Sequence, residues 1–159
     1  MTSKADFEEK VAKGDVAGVL VATPNFYGIV EDYTNWADIC HANKALLVMT
    51  CVASALGAVK TPGEWGAVIA VGDGQSLGIP MSYGGPYVGF ICTRKSLIRK
   101  MPGRVVGATK DLNGQRAFVL TLQASEQHIR REKATSNICS NQSLMALYVT
   151  IYMALMGPK

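Results

Sequence analysis

The sequence predicts an α/β fold with a mixed, mostly parallel sheet flanked by helices. Four short apolar runs alternate with segments of helical periodicity or turn composition, which is the pattern of a layered α/β domain. The connection between the third and fourth runs is short and rich in glycine and proline, so we expect those two strands to be antiparallel. With 159 residues, 48% of them hydrophobic, the chain is long enough to bury a core.

The first elements follow from capping residues and periodicity. A short polar helix opens the chain, where Ser3 or Asp6 can serve as the cap and Gly14 can end the helix. The apolar run 18–23 has the length and composition of a buried parallel strand. From about residue 31 to residue 43, apolar side chains recur at helical spacing and predict an amphipathic helix.

The later elements are predicted from apolar runs and turn residues. They are, in order, strands at 45–52, 67–71 and 87–92, a basic helix at 95–100, a strand at 117–122 and an apolar helix at 141–156. Asn113-Gly114 is a strong hairpin-turn signal, and Asn137 or Ser140 is expected to cap the last helix.

Composition excludes several classes of function. The net charge of +4 is small and dispersed, which argues against a nucleic-acid-binding protein. The four cysteines have neither metal-site nor CxxC spacing and no secretory segment precedes them, so we expect free thiols in a reducing compartment. The apolar stretches are too short or too interrupted to span a membrane. The sequence therefore predicts a cytoplasmic protein with no metal, nucleic-acid or membrane partner.

The segment 71–80, VGDGQSLGIP, resembles a phosphate-binding loop because it follows a strand and has three glycines in seven residues. A dinucleotide loop requires G-x-G-x-x-G and then a helix N-terminus. Here the third glycine comes one residue later, and Pro80 disfavours helix at Ile79, so the N–H groups that would hold a pyrophosphate are missing. No Walker lysine is present either. We therefore predict that this loop does not bind a nucleotide.

Three blocks of sequence identify a family. The chain resembles the glycine cleavage system P-protein, and most closely its subunit 1 (alpha chain), in the blocks 72–90, 101–107 and 127–139. The resemblance implies a partial large domain of a fold-type-I pyridoxal phosphate transferase over residues 1–159, and we expect the chain to be a fragment of a longer subunit. It also implies glycine decarboxylation within an assembly of this subunit, the beta subunit and the lipoylated H-protein.

The resemblance also implies which residues are absent. In the family, the beta subunit has a His-Lys pair whose lysine binds pyridoxal phosphate, and the aligned positions here are Gln75 and Ser76. A reactive lysine must be a partly desolvated amine on a rigid loop, whereas the next lysine after the loop is Lys95. No acid lies around 49–51, where the family's contact to the pyridine nitrogen is expected. No catalytic residue and no cofactor are therefore expected in this chain alone, and the beta subunit is expected to bind the pyridoxal phosphate.

Several residues remain candidates for the subunit interface or for the remnant of a cofactor pocket. They are Asp73, Gln75, Ser76, His128, Thr135, Ser136 and Asn137. Each has a simpler interpretation: Asp73 can cap a turn, 135–137 can cap the last helix, and His128 has no metal-ligating neighbour at suitable spacing. A non-enzymatic interaction module with a degenerate transferase fold is the alternative function.

Overall fold

The computed structural model describes residues 3–102, 105–122, 127–134 and 142–157. The chain divides into a larger unit, Met1–Arg94 with Gln142–Lys159, and a smaller unit, Lys95–Asn141. The expectation that residues 1–159 form one partial large domain stays a prediction.

A four-stranded mixed sheet forms the centre of the larger unit. Its strands are β1 (Gly18–Thr23), β2 (Leu46–Val52), β3 (Ile69–Asp73) and β4 (Gly89–Thr93). They are adjacent in chain order; β1, β2 and β3 are parallel, and β4 is antiparallel to β3. The predicted mixed, mostly parallel sheet is thus confirmed, including the reversal that the short third connection indicated. β3 begins and ends two residues later than predicted because its pairing with β2 extends to Asp73.

Two helices, α1 (Lys4–Ala12) and α2 (Trp36–Ala42), share one hydrophobic core with the sheet. The Phe7 and Trp36 rings stack with centroids 4.0 Å apart, which joins the two helices. The side chains of Leu47 and Met49 on β2 are fully buried in the same core. The predicted cap of α1 is confirmed, since Ser3 Oγ accepts a hydrogen bond from the Asp6 amide at 3.2 Å.

The predicted start of the second helix was wrong by five residues. Periodicity placed it near residue 31, but α2 begins at Trp36, after Asn35 in a left-handed conformation with φ 68°. Asp32 Oδ1 accepts hydrogen bonds from the amide and hydroxyl of Thr34, which closes a turn in place of the first helical turn. Tyr33 is buried as its spacing predicted, but it lies in this turn and donates its hydroxyl to Ala22 O.

The last helix, α4 (Ser143–Met156), contains no charged residue. Only Val149 is buried along this helix. The predicted caps Asn137 and Ser140 lie outside the described residues, and the residue before the helix, Gln142, makes no capping side-chain hydrogen bond. No helix in the described part of the chain is long and apolar enough to cross a membrane.

The smaller unit contains an antiparallel hairpin of β5 (Val105–Lys110) and β6 (Arg116–Thr121). The predicted turn is confirmed, since the Gly114 amide donates to Asp111 O at 3.0 Å. β6 matches the predicted strand within one residue, whereas β5 was not predicted. The predicted basic helix at Lys95–Lys100 is a 3₁₀ helix, and the short helix α3 (Gln127–Arg130) continues as a 3₁₀ turn, Arg131–Lys133.

Candidate functional site

Just before the connection between β3 and β4, the strand β3 contains a glycine that has no room for a side chain. A Cβ atom at Gly72 would overlap the carbonyl oxygen of Cys51 on β2 and the ring of Phe90 on β4. Residues 75–78 then form a single turn, closed by a hydrogen bond of 3.1 Å from the Ile79 amide to Gln75 O. No helix begins here, as predicted. The first glycine of the VGDGQSLGIP segment therefore serves sheet packing.

Two predicted site residues, Asp73 and Gln75, stabilise the shape of this loop. Asp73 Oδ1 accepts a hydrogen bond from the Gln75 amide at 2.6 Å, which is the turn-capping role that was considered for Asp73. Gln75 Nε2 donates to Ile79 O at 2.6 Å, which ties the two ends of the turn together. Both side chains are thus engaged within the loop.

Ser76, which the family resemblance places at the lysine position, has a hydroxyl oxygen that is inaccessible to solvent. Its Oγ has no hydrogen-bond partner among the described residues. An unpaired buried hydroxyl costs free energy, because its hydrogen bonds to water are lost and nothing replaces them. The loop thus brings Asp73, Gln75 and Ser76 together at the end of β3, with the serine hydroxyl facing the protein interior.

The loop rests on α4 through two further glycines. Gly78 has φ +87°, and a Cβ atom there would overlap the Tyr152 ring. A Cβ at Gly74 would lie 2.9 Å from Val88 Cγ1 and 3.8 Å from Val149 Cγ2. These contacts were not visible in the sequence, because Gly78 and Tyr152 are far apart in the chain.

A pocket of about 370 Å³ lies beside this contact. It is lined by Gly78, Tyr148, Ile151, Tyr152 and Leu155. The lining is mainly apolar and contains no carboxylate, amine or imidazole group, so the pocket offers shape and hydrophobic contact but no acid–base chemistry.

A second unpartnered hydroxyl lies at the carboxyl end of β1. Thr23 is fully buried, and its Oγ1 has no hydrogen-bond partner within the described part of the chain. It is paired in register with Cys51, which is paired in turn with Gly72. Burial raises the pKa of the Cys51 thiol, and the nearby Cys92 adds to this effect, so Cys51 is a weak nucleophile at neutral pH. The sequence pattern gave no signal for Thr23.

The other shifted groups have structural explanations. Hydrogen bonds from the side chain and amide of Thr34 lower the pKa of Asp32, and those from Thr61 lower the pKa of Glu64. Burial raises the pKa of Tyr33 and of the Cys40 thiol. Over the described residues, no group of three or more metal-ligating side chains is found.

The remaining candidates are not placed by the structure. The backbone of His128 belongs to α3, but its side chain is outside the described residues. Thr135, Ser136 and Asn137 also lie outside them. Their assignment to an interface or pocket stays a prediction.

Similarity to known proteins shows the family to which the chain belongs. The chain is similar to the crystal structure of glycine decarboxylase (P-protein) of the glycine cleavage system in inhibitor-bound form, with 50% identity and a TM-score of 0.87, over 91% of this chain and 33% of that one. The family model of the glycine cleavage system P-protein matches residues 1–159. The chain belongs to the glycine cleavage system P-protein family.

Its curated relatives indicate the kind of subunit. It is 57% identical over 149 residues to "Probable glycine dehydrogenase (decarboxylating) subunit 1" of Moorella thermoacetica, covering 94% of this chain and 34% of the relative. It is 59% identical over 145 residues to the protein of the same name from Citrifermentans bemidjiense, covering 91% of this chain and 33% of that relative. The chain thus spans about a third of the length of the relatives it matches.

The residues of this chain do not fit covalent attachment of pyridoxal phosphate. No lysine lies between β3 and β4, and the Ser76 hydroxyl in this connection is buried. β2 ends at Thr50-Cys51-Val52 without a carboxylate, and the Asp73 carboxylate at the end of β3 is bonded to the Gln75 amide.

Proposed function

We propose that the chain acts as part of the alpha subunit (subunit 1) of glycine dehydrogenase (decarboxylating). In this role it supports the decarboxylation of glycine and the transfer of the aminomethyl group to the lipoyl arm of the H-protein. The observation that carries the proposal is the β3–β4 loop, where glycine packing maintains a defined loop shape while Ser76 occupies the aligned lysine position. The identity to proteins named subunit 1 supports it.

The proposal divides the chemistry between two subunits. The family depends on pyridoxal phosphate, and a lysine amine of the beta subunit supplies the attachment that this chain lacks. The present chain contributes a rigid loop, fixed by Gly72 against the sheet and by Gly78 against Tyr152, and part of the surface that meets the beta subunit. We place the assembly in the cytoplasm, where Cys40, Cys51 and Cys92, all free in the structure, stay reduced.

A chimeric enzyme tests the proposal directly. The matching stretch of the M. thermoacetica subunit is replaced by the 149 aligned residues of this chain, and the chimera is produced together with the second subunit of that organism. We expect the two to co-purify and to release CO₂ from glycine when lipoylated H-protein is added. A matched chimera with Gly72→Val is expected to lose activity, because the new side chain has no room between β2 and β4.

The outcomes separate the two functions considered. A folded chimera that binds the second subunit but supports no decarboxylation would contradict the proposed role as an enzyme subunit. It would favour the alternative role as a non-enzymatic interaction module. Stoichiometric, borohydride-stable attachment of pyridoxal phosphate to the isolated chain would contradict the division of roles, because we expect none.

A further inference from the structure

The charge of the chain is concentrated in the smaller unit. Residues 95–141 contain nine Lys and Arg but three Asp and Glu, a formal charge of +6. The rest of the chain contains seven Lys and Arg against nine Asp and Glu, a formal charge of −2. The modest net charge of +4 therefore conceals a basic unit joined to a weakly acidic one.

The β5–β6 hairpin presents two of these cations side by side. Lys110 and Arg116 are paired in register at the turn end, so their side chains lie on the same face. Along the strands, the alternate residues on that face are apolar: Val106, Ala108 and Phe118 are all exposed. Lys110, Arg116, Val106, Ala108 and Phe118 together are called the hairpin face below.

The two cations are not neutralised by the described residues around them. Both ion pairs found in the described part of the chain join residues of α1 to each other or to its C-cap, Lys13. The one acid of the hairpin turn, Asp111, has its Oδ1 bonded to the amides of Asn113 and Gln115 at 2.8 and 2.9 Å. The Arg116 guanidinium lies 5.1 Å from the centroid of the Phe118 ring, which orients it over the apolar part of the face.

This arrangement favours an anionic partner. Like charges directly opposite each other in a hairpin destabilise it, and a carboxylate placed between Lys110 and Arg116 would remove that repulsion. The adjacent apolar side chains add hydrophobic contact that a phosphate backbone does not use, so the face fits an acidic protein surface better than a nucleic acid.

The size of the face indicates a transient contact. Six residues on each of two strands give a face of roughly 20 by 10 Å, far below the ~800 Å² per partner of a stable complex. Exposed charges on so small a surface increase the association rate and the specificity more than they increase the lifetime of the complex. Such a face suits a partner that binds and leaves in every catalytic cycle.

We propose that the hairpin face docks an acidic surface of the lipoylated H-protein. The proposal rests on the function proposed above, in which that carrier visits the enzyme and departs with the aminomethyl group. Lys110 and Arg116 contact carboxylates of the carrier, and Phe118 with Val106 contacts an apolar side chain beside them. The hairpin face is thus a recognition surface and takes no part in the chemistry.

Binding of the complete 159-residue chain to the lipoylated H-protein of M. thermoacetica tests the proposal. The dissociation constant is measured by biolayer interferometry across a series of salt concentrations. We expect the affinity of the unmodified chain to fall as salt rises, and the double variant Lys110→Glu/Arg116→Glu to bind about tenfold more weakly or worse. Phe118→Ala is expected to weaken binding without changing the salt dependence.

A matched control separates the hairpin face from general charge. Lys95→Glu/Arg99→Glu makes the same change in net charge at exposed positions of the same unit, outside the hairpin. We expect it to change the dissociation constant by less than about threefold. Far-UV circular dichroism establishes that each variant is folded.

Three results would overturn the proposal. The hairpin variant could bind the H-protein as tightly as the unmodified chain does. The control variant Lys95→Glu/Arg99→Glu could lose as much affinity as the hairpin variant, which would mean that binding depends only on net charge. A 20-base-pair duplex DNA could bind more tightly than the H-protein and depend on Lys110 and Arg116, which would assign the face to nucleic acid. Decarboxylation by the chimeric enzyme is a separate measurement, so an inactive chimera contradicts the proposed function and leaves the binding result to decide this inference.

Discussion

Gly72 on β3 and Ser76 in the loop that follows it differ in what their side-chain positions tolerate. At Gly72 the sheet leaves no volume for a methyl group, because the neighbouring strand's carbonyl oxygen and the Phe90 ring occupy it. At Ser76 the side chain is accommodated, but its hydroxyl lacks a partner among the described residues. The glycine is therefore constrained by packing, while the serine is no better for stability than alanine would be.

Substitution of Gly72 by alanine is expected to destabilise the chain by about 1–3 kcal/mol, the usual cost of forcing extra volume into a packed site. Gly57→Ala is the matched control, because a Cβ atom there meets nothing within 4 Å. Urea denaturation followed by circular dichroism measures both free energies of unfolding. Equal free energies for the two variants would show that β3 can shift to accommodate a side chain at position 72.

Tyr33 links the sheet to the turn before α2 and makes stability depend on pH. Its side chain is 3% exposed, and its hydroxyl donates to Ala22 O at 2.9 Å. Burial, with a smaller contribution from Glu31, raises the pKa of Tyr33 above its ordinary value of 10.0. The folded state therefore keeps the phenol protonated at a pH where the unfolded chain ionises it.

This shift predicts a loss of stability on the alkaline side. The contribution of Tyr33 is fully present below pH 10, its unfolded pKa, and is lost as the pH rises from there through the higher folded pKa. Tyr33→Phe should cost about 1–3 kcal/mol at neutral pH, because Ala22 O loses its donor, and should show a shallower decline above pH 10. Urea denaturation at a series of pH values compares the two proteins, and parallel alkaline declines would contradict the assignment.

At the scale of elements, α1 is attached to the rest of the larger unit by a small number of aromatic and aliphatic contacts. Phe7 and Val11 are the buried residues of this nine-residue helix, and Phe7 stacks on Trp36 of α2. A helix this short is marginal in water, so tertiary packing must supply most of its stability.

Phe7→Ala is expected to destabilise the chain by about 3–5 kcal/mol, since it removes a buried aromatic ring and leaves a cavity against Trp36. Glu8→Ala, at the adjacent exposed position, should change stability by less than about 0.5 kcal/mol. Chemical denaturation monitored by tryptophan fluorescence follows the environments of Trp36 and Trp65 together, and both pack in or against this core. A small effect of Phe7→Ala would mean that α1 separates from the core before global unfolding.

The sequence predicts the elements that depend on local pattern and misses those that depend on distant contacts. The four strands of the central sheet are apolar runs, and the reversal of β4 follows from the short preceding connection. The start of α2 was missed because Asp32 and Asn35 form a turn whose hydrogen bonds are invisible to a periodicity argument. β5 was missed because its residues, with a central glycine, form a weak alternating pattern until β6 pairs with them.

In the candidate site, too, the sequence shows which residues are present but not which distant contacts they make. The placement of Ser76 at the lysine position follows from the family resemblance and stays a prediction. The sequence does not reveal that Gln75 is bonded to Ile79 O or that Gly78 lies under the Tyr152 ring, because the first depends on the turn conformation and the second on α4.

At the scale of the whole molecule, the larger unit exposes apolar surface, including side chains of β1 and α4. A mostly parallel sheet is normally covered by helices on both faces. Val19 and Val21 on β1 pack against the core that α1 and α2 share, whereas Leu20 between them points to the opposite face and is 66% exposed. The uncharged helix α4 adds further exposed side chains, among them Ile151 and Leu155. Apolar surface of this kind favours association.

We therefore expect the isolated chain to self-associate, and we expect α4 to be a principal cause. Ile151→Lys/Leu155→Lys places two cations on its exposed face and should shift the molecule toward the monomer, as measured by sedimentation velocity over a range of protein concentrations. Leu112→Lys is the matched control, because Leu112 is a fully exposed, isolated residue of the β5–β6 turn and its replacement should leave the distribution unchanged. Binding of a hydrophobic dye should fall with the α4 variant alone. A monomeric unmodified chain at high concentration would contradict the expectation, as would an α4 variant that associates as strongly as the unmodified chain, since the uncovered face of the sheet would then be the main contact.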